Sequence, residues 1–93
     1  MKAYPDIDVR ASQVWWMEEH IKTGGRPLFL IQCHSIFAIV PGDRAADIRE
    51  EPEEETVLRH ASTIWSGKIP PSELFKVMRN PNAEYKKSRQ HTD

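Results

Sequence analysis

The stretch from Arg26 to Val40, RPLFLIQCHSIFAIV, decides the fold because it holds two apolar runs separated by a polar break. The break covers Gln32 to Ser35, and Pro41-Gly42 follows the second run. Apolar runs bounded by turn-forming residues are typical of strands, so the stretch predicts two short strands joined by a tight turn near His34-Ser35. The unbroken apolar run Leu28 to Ile31 predicts a strand that is covered on both faces and central in its sheet.

A helix is predicted before this hairpin, from Asp8 to Gly25, where the chain reads DVRASQVWWMEEHIKTGG. Its apolar stripe recurs at spacings of three and four residues and consists of Val14, Met17 and Ile21. Asp8 or Ser12 can cap the first turn, and Gly24-Gly25 supplies a residue able to close the helix. The segment therefore predicts one amphipathic helix with recognisable ends.

Trp15 and Trp16 widen the apolar stripe of this helix. Packing in the core is the favoured role for them, although aromatic faces also stack unpaired bases. Neighbouring helix positions diverge by about 100°, so at least one of the two indoles is expected to be only partly buried.

Beyond Pro41-Gly42 the pattern becomes helical. One helical turn is predicted in DRAADIREE, a solvated acidic loop around Pro52, a helix with apolar residues from Val57 to Trp65, and a short helix that starts at Pro70-Pro71. Asn80-Pro81 ends the last helix. The predicted fold is α/β, with a small sheet of two to three strands packed against the N-terminal amphipathic helix and followed by two C-terminal helices.

Residues 1–80 are predicted to form this single domain, and residues 81–93 a basic, flexible tail without periodicity. A basic tail can contact phosphates, while a solvated terminus is the simpler explanation for it. The 93 residues fit one domain, and a chain of this size buries only about two thirds of its unfolded surface. Self-association would add to that core.

The cysteine content and the apolar stretches of the chain indicate its cellular compartment. The single cysteine, Cys33, excludes a disulfide framework or a cysteine-based zinc site within one chain. No apolar stretch reaches the roughly 20 residues that cross a bilayer, and the N-terminal MKAYPDID lacks the apolar region of a signal peptide. These features predict a cytoplasmic protein that does not contact a membrane.

Few residues have the spacing of a catalytic or metal site. The four histidines do not pair at a spacing that would place two ligands on one helix face, so a structural role is favoured for each. Asp6 and Asp8 could point the same way from an extended segment and hold Mg²⁺ through oxygen ligands. A helix cap and a turn residue would look the same, and both alternatives stay open.

The string VRASQVWWMEEHIKTGGR, from Val9 to Arg26, carries a resemblance together with the apolar strand that follows it. It resembles the second half of small phage and bacterial nucleases of the PD-(D/E)XK type, in the branch that includes VRR-NUC domains and Holliday-junction-resolvase-like proteins. In those sequences an (E/D)xK strand precedes a helix reading roughly arginine, glutamine and tryptophan, then a Gly-Gly turn and a strand. Arg10, Gln13, Trp16 and Gly24-Gly25 occupy those places over about half the chain.

The resemblance implies Mg²⁺-dependent hydrolysis of DNA, in which carboxylates hold the ion and a lysine positions or activates water. It assigns catalytic roles to Lys2 and Gln13 and a phosphate contact to Arg10. The other candidate contacts to nucleic acid are Arg26, Lys86 and Lys87.

The family's carboxylates have no counterpart before Met1-Lys2, so the chain alone is expected to be inactive unless Asp6 and Asp8 replace them. A fragment of a longer nuclease, one part of a split enzyme completed by a second chain, and a non-catalytic descendant remain open. The competing class is a small phage-type accessory or interaction module that binds a protein through its acidic stretch and an exposed indole. A homo-oligomer is expected in either case, because an apolar strand edge needs a cover.

Overall fold

A computed structural model describes the backbone of residues 9–91 and the side chains of residues 9–87. The elements of this part are, in chain order, α1 (Ala11–Lys22), β1 (Leu28–Cys33), β2 (Ile36–Pro41), a 3₁₀ turn (Gly42–Arg44), α2 (Ala45–Glu50), α3 (Glu54–His60), β3 (Thr63–Ser66), α4 (Pro71–Arg79) and α5 (Pro81–His91). A small sheet, an N-terminal helix and C-terminal helices are thus present, and the predicted α/β fold is confirmed. None of the helices formed by residues 9–91 has the length and apolar character needed to cross a bilayer.

The hairpin predicted from the apolar stretch is confirmed. β1 and β2 pair antiparallel from Leu28 opposite Pro41 to Cys33 opposite Ile36, and the turn between them places His34 at a φ of 55°. The prediction that the Leu28 to Ile31 strand is central is wrong, because the sheet order in residues 9–91 is β1-β2-β3. β2 takes the central place since its second side pairs with β3, which the apolar pattern of β1 could not indicate.

β3 replaces the second half of a predicted helix. α3 ends at His60, and Thr63 to Ser66 pair antiparallel with β2. The run from Thr63 to Trp65 is rich in β-branched and aromatic side chains, which favour strands where a neighbour is present to pair with. Gly67, at a φ of 85°, ends β3, and its N–H donates to the Ser35 carbonyl at 2.7 Å.

Two apolar clusters cover the two faces of the sheet. One consists of Cys33, Ala38, Val40, Ile48, Val57 and Ala61. The other consists of Ile39, Trp65 and Val77, with Leu28, Phe37, Ile69 and Leu74 packed against it. Side chains alternate along a strand, so the first cluster lies on the face under α2 and α3, and the second on the face under α4. The sheet is therefore the middle layer between two layers of helices.

α1 is attached at the end of this sandwich, where it contacts chiefly the 3₁₀ turn and α2. The contact is close at Gly42, where an added Cβ would lie 2.8 Å from Met17 Sδ and 2.9 Å from Pro27 Cγ. The predicted closure at Gly24-Gly25 is confirmed by the φ of 93° at Gly24. Ser12 lies inside the helix and does not cap it, and Asp8 lies outside the described residues.

The C-terminal segment differs from the predicted tail. Residues 81–91 form α5, which contacts β2, and both Glu84 and Tyr85 are buried. The packed structure therefore extends past residue 80. Its sequence showed no apolar stripe because one aromatic and one carboxylate side chain make the contacts.

Candidate nucleic-acid interface

The two adjacent tryptophans of α1 are exposed. Trp15 is 62% exposed and Trp16 48%, and no residue of the helix is fully buried. The prediction that they pack in the core is wrong, because the apolar stripe that faces the 3₁₀ turn and α2 is narrow and both indoles lie outside it. Two large apolar side chains exposed next to each other form a patch, and such patches mark candidate binding surfaces.

These indoles line a shallow, mostly apolar pocket of about 530 Å³ on α1. The pocket is lined by Ser12, Gln13, Trp15, Trp16 and Met17, and we call it the indole surface. The ring centroids of Trp16 and His20, one turn apart, lie 4.0 Å from each other. The two rings are tilted by 31°, so Trp16 has an aromatic neighbour along α1.

Gln13 already has a structural partner. Its Oε1 accepts a hydrogen bond from the backbone N–H of Arg10 at 2.8 Å, which satisfies an N–H at the start of α1. Gln13 is nevertheless an exposed residue, and it lines the indole surface together with Trp16. Arg10 is also exposed, so a cation stands at the N-terminal end of the indole surface.

A second concave feature lies near the C-terminal end of α1. This cleft of about 360 Å³ is lined by Ile21, Arg26, Asp43, Asn82, Tyr85 and Lys86, and we call it the Arg26 cleft. The Arg26 guanidinium carbon lies 5.6 Å from the centroid of the Tyr85 ring, within the range of a cation–π contact. Nη1 of Arg26 also donates to the Gly25 carbonyl at 2.8 Å. The fold thus brings together two candidate contacts, Arg26 and Lys86, that are 60 positions apart in sequence.

Tyr85 supports this cleft from below. Its hydroxyl donates to the Pro27 carbonyl at 2.6 Å and accepts from the Gly42 N–H at 3.1 Å. Burial raises the pKa of Tyr85 to about 12, and the nearby charge of Asp43 acts in the same direction. The neutral hydroxyl therefore persists at physiological pH and joins α5 to the start of β1 and to the 3₁₀ turn.

Lys87 has a different environment from its neighbour Lys86. Its Nζ lies 3.1 Å from Oε2 of the buried Glu84. Oε1 of Glu84 accepts hydrogen bonds from the Ser62 and Thr63 hydroxyls, each at 2.5 Å. Burial alone would raise the pKa of Glu84, but these hydrogen bonds and the Lys87 ammonium outweigh it and lower that pKa. Lys87 Nζ also donates to the Thr63 hydroxyl oxygen in β3 at 3.4 Å, so Lys87 helps to hold α5 on the sheet, a contact that the sequence did not indicate.

The predicted metal and catalytic residues are only partly described. Lys2, Asp6 and Asp8 lie outside residues 9–91. Among the described residues, no group of three or more histidine, cysteine, aspartate or glutamate side chains could hold a metal ion. The magnesium site at Asp6 and Asp8 stays a prediction.

The candidate contacts to nucleic acid among the described residues form two groups, one at each end of α1. Arg10 and Gln13 stand at its start, whereas Arg26 and Lys86 lie past its end. Gln13 lines one pocket and Ile21 the other, and the two residues are separated by about 12 Å along the axis of α1 at 1.5 Å per residue.

Comparison with known proteins finds no matching family model, no similar curated protein and no similar solved structure.

Proposed function

We propose that the protein binds nucleic acid along α1 and is part of a metal-dependent nuclease of the PD-(D/E)XK type that its sequence resembles. The observation that carries the proposal is the pair of exposed indoles beside Gln13 on a helix with no buried residue. Indole faces stack unpaired bases regardless of their sequence. Cations near both ends of α1, Arg10 at one and Arg26 with Lys86 at the other, match the charge of a strand lying along the helix.

Binding is tested with fluorescently labelled single-stranded and duplex oligonucleotides at low salt. Base stacking on an aromatic side chain contributes about 1–3 kcal/mol, so Trp15→Ala and Trp16→Ala should each weaken single-strand binding by about 5- to 150-fold. Phe75→Ala is the matched control, because Phe75 is an equally exposed aromatic residue, 60% accessible, on α4. Absence of binding by the wild type, or equal losses in the control, would contradict the proposal.

Cleavage needs a separate test. We expect none from the chain alone, because the string that resembles the nucleases, Val9 to Arg26, does not include the family's carboxylate ligands. The purified protein is incubated with branched, duplex and single-stranded DNA in Mg²⁺ or Mn²⁺. Cleavage that survives repurification and disappears in Lys2→Ala would show that Lys2 and residues near it complete a site.

The open side of β1 favours the alternative, a protein-interaction module. Within residues 9–91, β2 is its only strand neighbour, and Leu30 is 48% exposed. A strand edge of this kind pairs readily with another chain, and a second copy is the simplest closed solution. Sedimentation equilibrium at micromolar concentration measures this directly. A monomer mass across that range would contradict self-association and leave the nucleic-acid proposal untouched.

A further inference from the structure

We propose that the Arg26 cleft binds a phosphate group, and that the phosphate belongs to the backbone of the strand whose bases stack on α1. The phosphate site rests on the geometry of the cleft. Only the identity of the strand rests on the proposed function.

The two cations of the cleft have no carboxylate partner in the part of the chain that the structure describes. Within the described residues, neither Arg26 nor Lys86 forms a salt bridge, whereas the neighbouring Lys87 is paired with Glu84. Arg26 is nevertheless held in place, through the Tyr85 ring and the Gly25 carbonyl. The bond to Gly25 uses one of its five donors, so the others can bind an oxyanion without a large loss of side-chain freedom.

The remaining lining residues suit an anion with hydrogen-bonding oxygens. Asn82, in the first turn of α5, can donate from its amide, and the positive end of a helix dipole favours negative charge at that turn. Asp43 is the only carboxylate among the lining residues, and Arg44 Nε lies 3.9 Å from its Oδ1. With Arg26 and Lys86 against Asp43, the cleft carries a net positive charge even without Arg44.

The Gly24-Gly25 turn fixes this arrangement. The Gly25 N–H donates to the His20 carbonyl at 2.8 Å, and a Cβ at Gly25 would lie 2.9 Å from that carbonyl oxygen. Only glycine therefore allows the chain to return so closely to α1. The turn sets Arg26 beside the last turns of the helix, facing α5.

The decisive measurement is the salt dependence of oligonucleotide binding. Each lost phosphate contact reduces the magnitude of the slope of log K against log salt by about 0.7 for single strands and about 0.9 for duplex. Arg26→Met and Lys86→Met should each show that reduction, with a loss of affinity of about tenfold at low salt. Lys68→Met is the control, because Lys68 is an exposed lysine outside the cleft. Asp43→Asn should strengthen binding.

A second measurement tests phosphate binding by the cleft independently of oligonucleotide binding. Inorganic phosphate is titrated while NMR follows the backbone amides of Asn82 and Lys86 and the Nε–H of Arg26. Chemical-shift changes that are confined to the cleft and absent in Lys86→Met support a phosphate site, even if no oligonucleotide binds. In that case only the proposed function fails, and mononucleotides become the source of phosphate to test. If oligonucleotides bind but the cleft variants behave like Lys68→Met, the phosphate site is overturned and the proposed function stands. If neither phosphate nor DNA binds, both are overturned.

Discussion

Removing the Tyr85 hydroxyl tests how α5 is joined to the rest of the fold. In Tyr85→Phe the ring stays beneath Arg26, but the hydrogen bonds to the Pro27 carbonyl and from the Gly42 N–H are lost. A typical hydrogen bond contributes about 1 kcal/mol net to the free energy of unfolding, and much more is lost only when a buried partner is left unsatisfied. The fate of the two backbone groups therefore decides the magnitude.

The Gly42 N–H and the Pro27 carbonyl remain hydrogen-bonded to each other. The Gly42 N–H also donates to the Pro27 carbonyl at 2.8 Å, so neither is left without a partner in the variant. We therefore expect Tyr85→Phe to lower the free energy of unfolding by about 1–2 kcal/mol near neutral pH. For a domain of this size the melting temperature should fall by about 4–8 °C per kcal/mol.

The same hydroxyl predicts a pH dependence. Burial raises the pKa of Tyr85 to about 12 in the folded protein, whereas an unfolded tyrosine titrates near pH 10, about its usual value. A group whose pKa is raised on folding stabilises fully below its unfolded pKa, and this stabilisation is lost as the pH rises through the folded pKa. The advantage of the wild type over Tyr85→Phe should therefore be constant below a pH of about 10 and shrink between about 10 and about 12.

Urea unfolding followed by far-ultraviolet circular dichroism measures both effects, with Tyr85→Leu as the variant that also removes the ring. Other titrating groups are common to the wild type and Tyr85→Phe and cancel in the difference. A loss above about 3 kcal/mol would refute the claim that Gly42 and Pro27 satisfy each other. A difference that stays constant across the alkaline range would refute the role given to the neutral hydroxyl.

Three further predictions concern other parts of the fold. Glu84→Gln should destabilise the protein at neutral pH. Because folding lowers the pKa of Glu84, its carboxylate stabilises the fold fully only above its unfolded pKa, so the difference between the two proteins should shrink as the pH falls below about 4.3. Acid unfolding of both proteins checks this. Trp15→Ala and Trp16→Ala should each change the free energy of unfolding by at most about 0.5 kcal/mol, against about 3–5 kcal/mol for the buried Trp65→Ala, as measured by urea titration. Gly42→Ala should be destabilising and detach α1 locally, which amide exchange along α1 would reveal; unchanged exchange would contradict the close contact with Met17.

The candidate site was only partly visible in the sequence. Arg26 and Lys86 could be proposed separately, one from the resembled string and one from a basic tail, but their meeting depends on α5 folding back onto the sheet. The sequence predicted that one of the two indoles, Trp15 or Trp16, would be partly exposed, but not that both would be, because the apolar character of a side chain does not show whether another element will cover it. A lone tyrosine in an otherwise polar tail was the available signal for α5.

Local pattern determined the hairpin and α1. Turn residues, apolar runs and the Gly24-Gly25 closure act between neighbours in the chain, so the sequence alone predicts the hairpin closely and α1 to within a few residues at each end. Tertiary structure decided the place of β1 in the sheet, the strand at Thr63 to Ser66 and the packing of α5. Each of these depends on a hydrogen-bonding partner distant in sequence, as Thr63 on Ile39 and Tyr85 on Pro27, and no local periodicity encodes the identity of such a partner.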